Sequence, residues 1–257
     1  MSSMSSNGMF DQTYVNQYDY IKKMPPPPSQ PPAPKFTDLT LKHAVDACLA
    51  LSVVGACATP MGTWEVSDVT NMERLFTGYD AFNTDISAWN VGSVTTMSEM
   101  FRDCASFNQP IRRWVVGRVT NMQYMFYGAG FNQDISLWDV SKVNSLQGTF
   151  RSSPFNQWIG SWNVAAVTSF AETFSWTSAF NQDLSSWNVM NGNDFLNFLY
   201  VAGAFNKKLC SAAWISKRSL ITFLGSGGSV CTELPRLSPP PSPPSLPPSL
   251  PPSRCCT

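Results

Sequence analysis

Apolar residues return along the middle of the chain at a fixed period, and each period opens with a tryptophan. Of the nine tryptophans, the six that open the periods are Trp64, Trp89, Trp114, Trp138, Trp162 and Trp187. A Phe-Asn pair recurs in step with them, from residues 82–83 to residues 205–206. A step of roughly 25 residues is typical of a solenoid, in which each unit buries its apolar side chains against its neighbours.

Apolar side chains within each unit are spaced by three and four residues, which predicts about two turns of helix. Met97, Met100 and Phe101 show this spacing in the second unit. Thr96 and Glu99 also fit a capping box, in which the two side chains satisfy free amides of the first helical turn.

The segment after the Phe-Asn pair has no helical face, and residues 132–136 illustrate it. We expect one parallel strand per unit there. The paired asparagines are expected to form a ladder, with each inward amide bonding backbone groups of an adjacent unit. Its members are Asn83, Asn108, Asn132, Asn156, Asn181 and Asn206. The alternative is that asparagine is selected only for its turn conformation.

The repeat resembles that of the BspA-like leucine-rich-repeat surface proteins, and residues 114–126 and 131–135 show it most clearly. That degenerate repeat runs Trp-Asp-Val-x-x-Val-Thr-x-Met-x-x-Met-Phe, then Phe-Asn-x-Asp-Ile. The resemblance covers residues 36–231 and weakens toward the C-terminus, at Thr149, Thr173, Gly192 and Leu199. It implies a leucine-rich-repeat-like coil with a surface or adhesion role, and it brings no catalytic residues.

Together these patterns predict an α/β repeat fold, a right-handed leucine-rich-repeat-like solenoid of about six coils. Leu41, Val45 and Leu49, spaced by four, predict a helix that caps its first coil. The predicted segments are a disordered proline-rich segment (1–35), a helical cap (36–63), the solenoid (64–205), a C-terminal cap (206–234) and a disordered Ser/Pro-rich tail (235–257).

Four of the seven cysteines lie near the two ends of the repeats. Cys48 and Cys57 flank the end of the cap helix, and Cys210 and Cys231 bracket the other end. We expect two disulfides, because terminal coils lack a neighbour and fray. The alternative is four buried thiols in a cytosolic protein. Cys104 is predicted to be unpaired.

Charge and composition exclude several classes of function. The 17 basic residues balance the 17 acidic ones, and no basic stripe suits nucleic acid. The apolar run from 47 to 58 is too short to span a membrane. Residues 1–20 lack the features of a signal peptide, although 56–58 could be read as a signal-peptidase site. With His43 as the only histidine, no catalytic triad can be built, and we expect no enzyme, metal or cofactor.

The most divergent column of the repeat is the predicted binding face. It consists of Asp85, Pro110, Asp134, Trp158, Asp183 and Lys208. Its aspartates, in alternate coils, would lie about 10 Å apart, too far to share a calcium ion. Trp158 is the expected anchor, unless it packs over Trp162 or fills a gap beside Pro154.

The sequence thus favours a non-enzymatic repeat protein that binds protein or glycan ligands at a cell surface. The alternative is an intracellular scaffold that binds proteins through its solenoid and its proline-rich tails. The first interpretation predicts an extracellular or cell-surface location, and the alternative predicts a cytoplasmic one.

Overall fold

The computed structural model describes residues 35–52 and 57–234. They belong to one compact unit, Lys35–Thr257, while the other unit, Met1–Pro34, lies outside the described residues. The predicted tail (235–257) and residues 53–56 of the predicted cap lie outside them as well. The elements are α1 (Asp38–Leu51), a 3₁₀ turn (Met61–Thr63), β1 (Lys208–Leu209), α2 (Ala212–Lys217), a 3₁₀ turn (Arg218–Leu220) and β2 (Ser229–Val230).

Helix α1 covers the first repeat unit with one apolar face. Its buried residues are Leu41, Val45, Cys48 and Leu49. The carboxylate of Asp38 accepts hydrogen bonds from the backbone N–H groups of Thr70 and Asn71, at 2.7 and 3.0 Å. The helix is therefore fixed to the first unit by apolar packing and by hydrogen bonds at its N-terminus.

The repeat units are built from successive turns, and the predicted helices are absent from residues 64–205. In the second unit, four alternate N–H groups donate to carbonyl oxygens of the third unit at 2.7–3.0 Å; they belong to Met97, Glu99, Phe101 and Asp103. A helix would need these donors for its own carbonyls. Glu99 and Asp103 each have a φ of 56°, which interrupts any helix. Successive turns bury apolar side chains three and four residues apart, just as a helix would. The prediction of a helix in each repeat unit is therefore wrong.

The predicted strand at residues 132–136 is also absent, because asparagine side chains take the place of backbone partners. Asn132 Oδ1 accepts the backbone N–H of Asn156 at 2.9 Å and the side-chain amide of Gln157 at 3.1 Å. The same backbone bond joins each successive pair of asparagines from Asn83 to Asn206 at 2.9–3.1 Å. These asparagines are exposed or half-buried, so they lie at the surface and not inward.

Parallel backbone bridges join the units at a different position. They run in order through Asn71, Thr96, Asn121, Ser145, Ser169 and Asp194. Each bridge is isolated, since the turns on either side prevent a continuous strand. The predicted capping box at Thr96 and Glu99 is replaced by a short turn, in which the Ser98 N–H donates to the Thr96 hydroxyl at 3.4 Å.

The core contains aromatic side chains that stack in columns between units, packed among aliphatic residues and methionines. Phe101, for example, lies 5.5 Å from Phe76 and 5.6 Å from Phe126 between ring centroids. The buried indole N–H of Trp114 donates to the carbonyl of Ile86 in an earlier unit. The equivalent bonds of Trp89, Trp138, Trp162, Trp187 and Trp214 measure 2.8–3.2 Å. Large apolar rings are thereby buried without leaving their N–H groups unpaired.

Both ends of the repeats carry a disulfide. Cys48 is bonded to Cys57, and Cys210 to Cys231, as the sequence predicts. At the C-terminal end, Trp214 is completely buried, and its indole N–H bonds the Leu184 carbonyl as those of the repeat tryptophans bond earlier units. Its step from Trp187 is nevertheless longer than the steps between the repeat tryptophans. The terminal units, which have a neighbour on one side only, are therefore held by covalent bonds.

Candidate binding surface

The six residues of the predicted binding face occupy equivalent surface positions in successive units. Asp134 is half-buried and the other five are exposed. Contacts link neighbouring positions along this face: the Ser185 hydroxyl, two residues after Asp183, donates to the Lys208 carbonyl at 3.2 Å. The row therefore lies on the surface. Whether a side chain in it is free to contact a ligand depends on the contacts that it makes within the protein.

The three aspartates of this row close local turns. Their carboxylates accept the N–H of the serine two residues later, at 2.9 Å for Ser87 and Ser136 and 2.8 Å for Ser185. Hydrogen bonds from the side chain and the backbone N–H of the same serine lower the pKa of Asp85, Asp134 and Asp183. Among the described residues, no group of three or more His, Cys, Asp or Glu side chains could hold a metal ion. The aspartates stabilise the turns in which they lie.

Trp158 is the exposed aromatic residue of the row. Its side chain is 53% exposed, and its indole nitrogen lies 3.0 Å from the point that a Cβ on Gly160 would occupy. The indole therefore lies close to the backbone of Gly160, where a Cβ would crowd it. Trp162 is buried and stacks against Trp187 instead, at 6.4 Å.

Two adjoining depressions lie beside Pro110, and together we call them the Arg112–Arg113 depression. One, of about 580 Å³, is lined by Ser87, Ala88, Pro110, Arg112 and Arg113. The other, of about 320 Å³, shares both arginines and adds Trp114, Val115, Val116, Gly117, Leu137 and Asp139. Val115 and Leu137 are 68% and 67% exposed, so aliphatic and cationic groups lie side by side on an open surface.

A second surface was not predicted from the sequence, and we call it the arginine–tyrosine row. It consists of Arg74, Glu99, Arg102, Tyr124, Tyr127, Arg151 and Glu172. Glu99 accepts hydrogen bonds from Arg74 and Arg102 at 2.7 and 3.0 Å. These residues stand at the tenth and thirteenth positions after each tryptophan. Divergence between units at those two positions was the signal that could have found the row.

Two arginines of this row also lie against an aromatic ring. The guanidinium carbons of Arg102 and Arg151 lie 5.1 and 5.5 Å from the ring centroid of Tyr127. Arg151 also binds Glu172 at 2.5 Å. Each of these arginines thus has a carboxylate partner and an aromatic face, which leaves little of its charge available to a ligand.

Gly148 makes room for the other tyrosine of the row. Its φ is +60°, and a Cβ there would lie 2.3 Å from the ring of Tyr124. The ring therefore lies across the backbone of the next unit, where Gln147 donates to its hydroxyl at 2.9 Å. Burial raises the pKa of the Tyr124 hydroxyl.

Other reactive side chains lie apart from both surfaces. His43 is exposed on α1. Cys104 is a buried free thiol whose sulfur lies 2.9 Å from the Phe76 carbonyl oxygen, and burial raises its pKa to about 12. Within residues 35–52 and 57–234, no helix has the length and apolar character needed to cross a membrane.

Comparison with known families identifies one family, which matches the chain in two overlapping segments. Residues 49–154 and 129–221 match the model of a family described as "Mycoplasma protein of unknown function, DUF285". The two matches overlap and together cover well over half of the chain. No curated protein and no solved structure matches the chain. The matched region includes all six tryptophans of the repeat.

Proposed function

The chain belongs to the family described as Mycoplasma protein of unknown function, DUF285, and from that premise we propose that it is a non-catalytic binding protein. Its units would form a right-handed leucine-rich-repeat-like solenoid of the BspA-like surface type, which binds protein or glycan ligands and supports adhesion. The backbone contacts that recur between equivalent positions of successive units support this proposal.

One observation carries the proposal: the constant apolar positions of the repeat are buried, and several variable positions expose large apolar side chains. The tryptophans that open the units are at most 7% exposed, and the phenylalanines before asparagine are completely buried. Val115, Leu137 and Trp158, at variable positions, are 53–68% exposed. Repeat proteins commonly vary surface residues on a constant core in order to bind different partners.

The two disulfides support a surface location, because such bonds persist in oxidising compartments and are rare in the cytosol. Thiols should be counted on the full chain, denatured without reductant. We expect at most three reactive thiols, since four of the seven cysteines are paired. Seven thiols in protein from its native host would favour the alternative, an intracellular scaffold whose proline-rich tails recruit proteins.

Binding itself is tested with the full chain on arrays of glycans and of extracellular proteins. We expect saturable capture that Trp158→Ala or a variant in the Arg112–Arg113 depression reduces without lowering the melting temperature. Capture that no surface variant reduces, or none on either array, would contradict a ligand-binding role.

A further inference from the structure

The third repeat unit lacks a turn that every other unit has. In those five units an oxygen of the side chain after the tryptophan accepts the N–H two residues later, at 3.1–3.2 Å. The accepting residues are Glu65, Asn90, Asp139, Asn163 and Asn188. In the third unit Val115 stands at this position and has no oxygen to offer. The chain gives up a stabilising turn there and exposes an apolar side chain instead.

The end of the second unit departs from the repeat as well. The first, third and fifth units have Asp-x-Ser turns here, whereas the second has Pro110 and Arg112 and the fourth has Trp158 and Gly160. The residue type before the tryptophan also departs from the repeat in this region. It is Ala or Ser in three units (Ala88, Ser161, Ser186), but the residues before Trp114 and Trp138 are Arg113 and Leu137.

These departures meet in one place, the Arg112–Arg113 depression. Arg113, Val115 and Leu137 all line its smaller part, and Pro110 lines the larger. Local rules of the repeat are broken without any visible gain in packing, because the side chains concerned are exposed. Departures of this kind are expected where a surface serves function at the expense of local stability.

The lining of the depression carries two arginines, Arg112 and Arg113, and one carboxylate, Asp139, in a chain whose formal net charge is zero. Arg112 Nε lies 2.9 Å from Asp134 Oδ2, with both side chains about half exposed. Arg113 is exposed and has no ion-pair partner among the described residues. The exposed Arg118 and Lys142 follow close in sequence after the lining residues. An occupant with a negative charge therefore complements this surface.

We infer that the Arg112–Arg113 depression docks an extended segment of a protein partner that carries a carboxylate beside a large apolar side chain. The inference rests on the proposed binding function. The guanidinium of Arg113 would take the carboxylate in a bidentate pair, and the apolar side chain would cover Val115 and Leu137. The lining offers no exposed aromatic ring on which a sugar could stack. The carboxylates of Asp134 and Asp139, at the border of the site, would repel a phosphate backbone.

The test uses random dodecapeptides displayed on phage and selected on the immobilised full chain. We expect selected sequences to carry Asp or Glu next to Leu, Ile or Phe. A selected peptide, synthesised with a fluorescent label, should bind at least tenfold more weakly to Arg113→Ala and to Val115→Asn. Val115→Asn restores the residue type of the other units, so loss of folding cannot explain its effect. Asn163→Val, the reverse change in the fifth unit, should leave peptide affinity unchanged.

The other outcomes overturn the inference in distinguishable ways. Selected peptides that bind Arg113→Ala and Val115→Asn as tightly as the original chain would place binding elsewhere and leave the proposed function intact. Enrichment of basic or purely apolar peptides would refute the stated chemistry. Failure to select any peptide, while the arrays still show capture, would refute the docking site alone.

Discussion

The arginines of the two surfaces have the same side chain but opposite surroundings. In the arginine–tyrosine row, Arg102 and Arg151 each have a glutamate partner and lie against the ring of Tyr127, and they are 39% and 28% exposed. In the Arg112–Arg113 depression, Arg112 is 50% exposed and Arg113 has no ion-pair partner among the described residues. Arg112 is ion-paired with Asp134. The comparison indicates that Arg102 and Arg151 stabilise contacts between units, whereas Arg113 is available to a ligand.

The largest expected effect comes from displacing the tyrosine that supports the arginine–tyrosine row. Gly148→Ala forces a Cβ into the ring of Tyr124 at a φ of +60°. We expect the free energy of unfolding to fall by about 2–4 kcal/mol, from the left-handed backbone and from overpacking together. Urea unfolding measures it. Gly78→Ala is the control, because its φ is +78° but nothing lies within 4 Å of the new Cβ. An equal loss at both glycines would show that the Tyr124 contact contributes nothing.

Removing an arginine from the row should have the next largest effect. Arg151→Ala leaves Glu172, whose side chain is 19% exposed, without its partner. We expect a loss of about 1–3 kcal/mol in unfolding free energy. The buried Nε of Arg151 has no hydrogen-bond partner, which places the loss toward the lower end. Arg151→Lys keeps the charge but not the planar stacking, and full recovery by lysine would contradict a contribution from Tyr127.

The ion pairs of the row also predict how stability depends on pH. The hydrogen bond from Arg74, and then that from Arg102, lower the pKa of Glu99 below its ordinary value of 4.5. A carboxyl with a lowered pKa stabilises the fold above its unfolded pKa, and this contribution is lost as the pH falls through the folded value. Glu99→Gln should therefore weaken the fold at neutral pH and flatten its pH dependence below about 4.5. Parallel pH profiles for the two proteins would contradict this role.

The smallest effect is expected at the depression. Val115→Asn restores the turn that the other units share, so stability should stay the same or rise by up to about 1 kcal/mol. Thermal unfolding measures it, and Asn163→Val should shift the melting temperature in the opposite direction. A clear loss of stability in Val115→Asn would show that Val115 serves packing.

The period of the repeat and its buried aromatic residues could be predicted from the sequence, because a fixed spacing of Trp and Phe leaves few ways to bury them. The disulfides Cys48–Cys57 and Cys210–Cys231 could be predicted as well, from their positions at the two ends. The cap helix α1 could be predicted from the spacing of Leu41, Val45 and Leu49. The conformation within the repeat units could not, since successive turns bury residues at the same spacing as a helix. The strand was placed wrongly because the side chain of Asn132 replaces a backbone acceptor.

The candidate site was predicted only in part. Divergence in one column identified Pro110 and Trp158, but the neighbouring residues Arg113 and Val115 belong to other columns. The missing signal was a broken turn: Val115 stands where the other five units have an oxygen-bearing side chain. Such a departure is visible in the sequence only after the structure shows what that oxygen does.

The central claim is that the arginines of the arginine–tyrosine row serve stability and that Arg113 serves binding. The most direct test measures both properties in two matched variants, Arg151→Ala and Arg113→Ala, by urea unfolding and by anisotropy of a selected acidic peptide. We expect Arg151→Ala to lose about 1–3 kcal/mol of stability and keep its peptide affinity, and Arg113→Ala to stay within about 0.5 kcal/mol of the original chain. Peptide affinity should fall at least tenfold in Arg113→Ala alone. The same losses in both variants, or the reverse pattern, would contradict the claim.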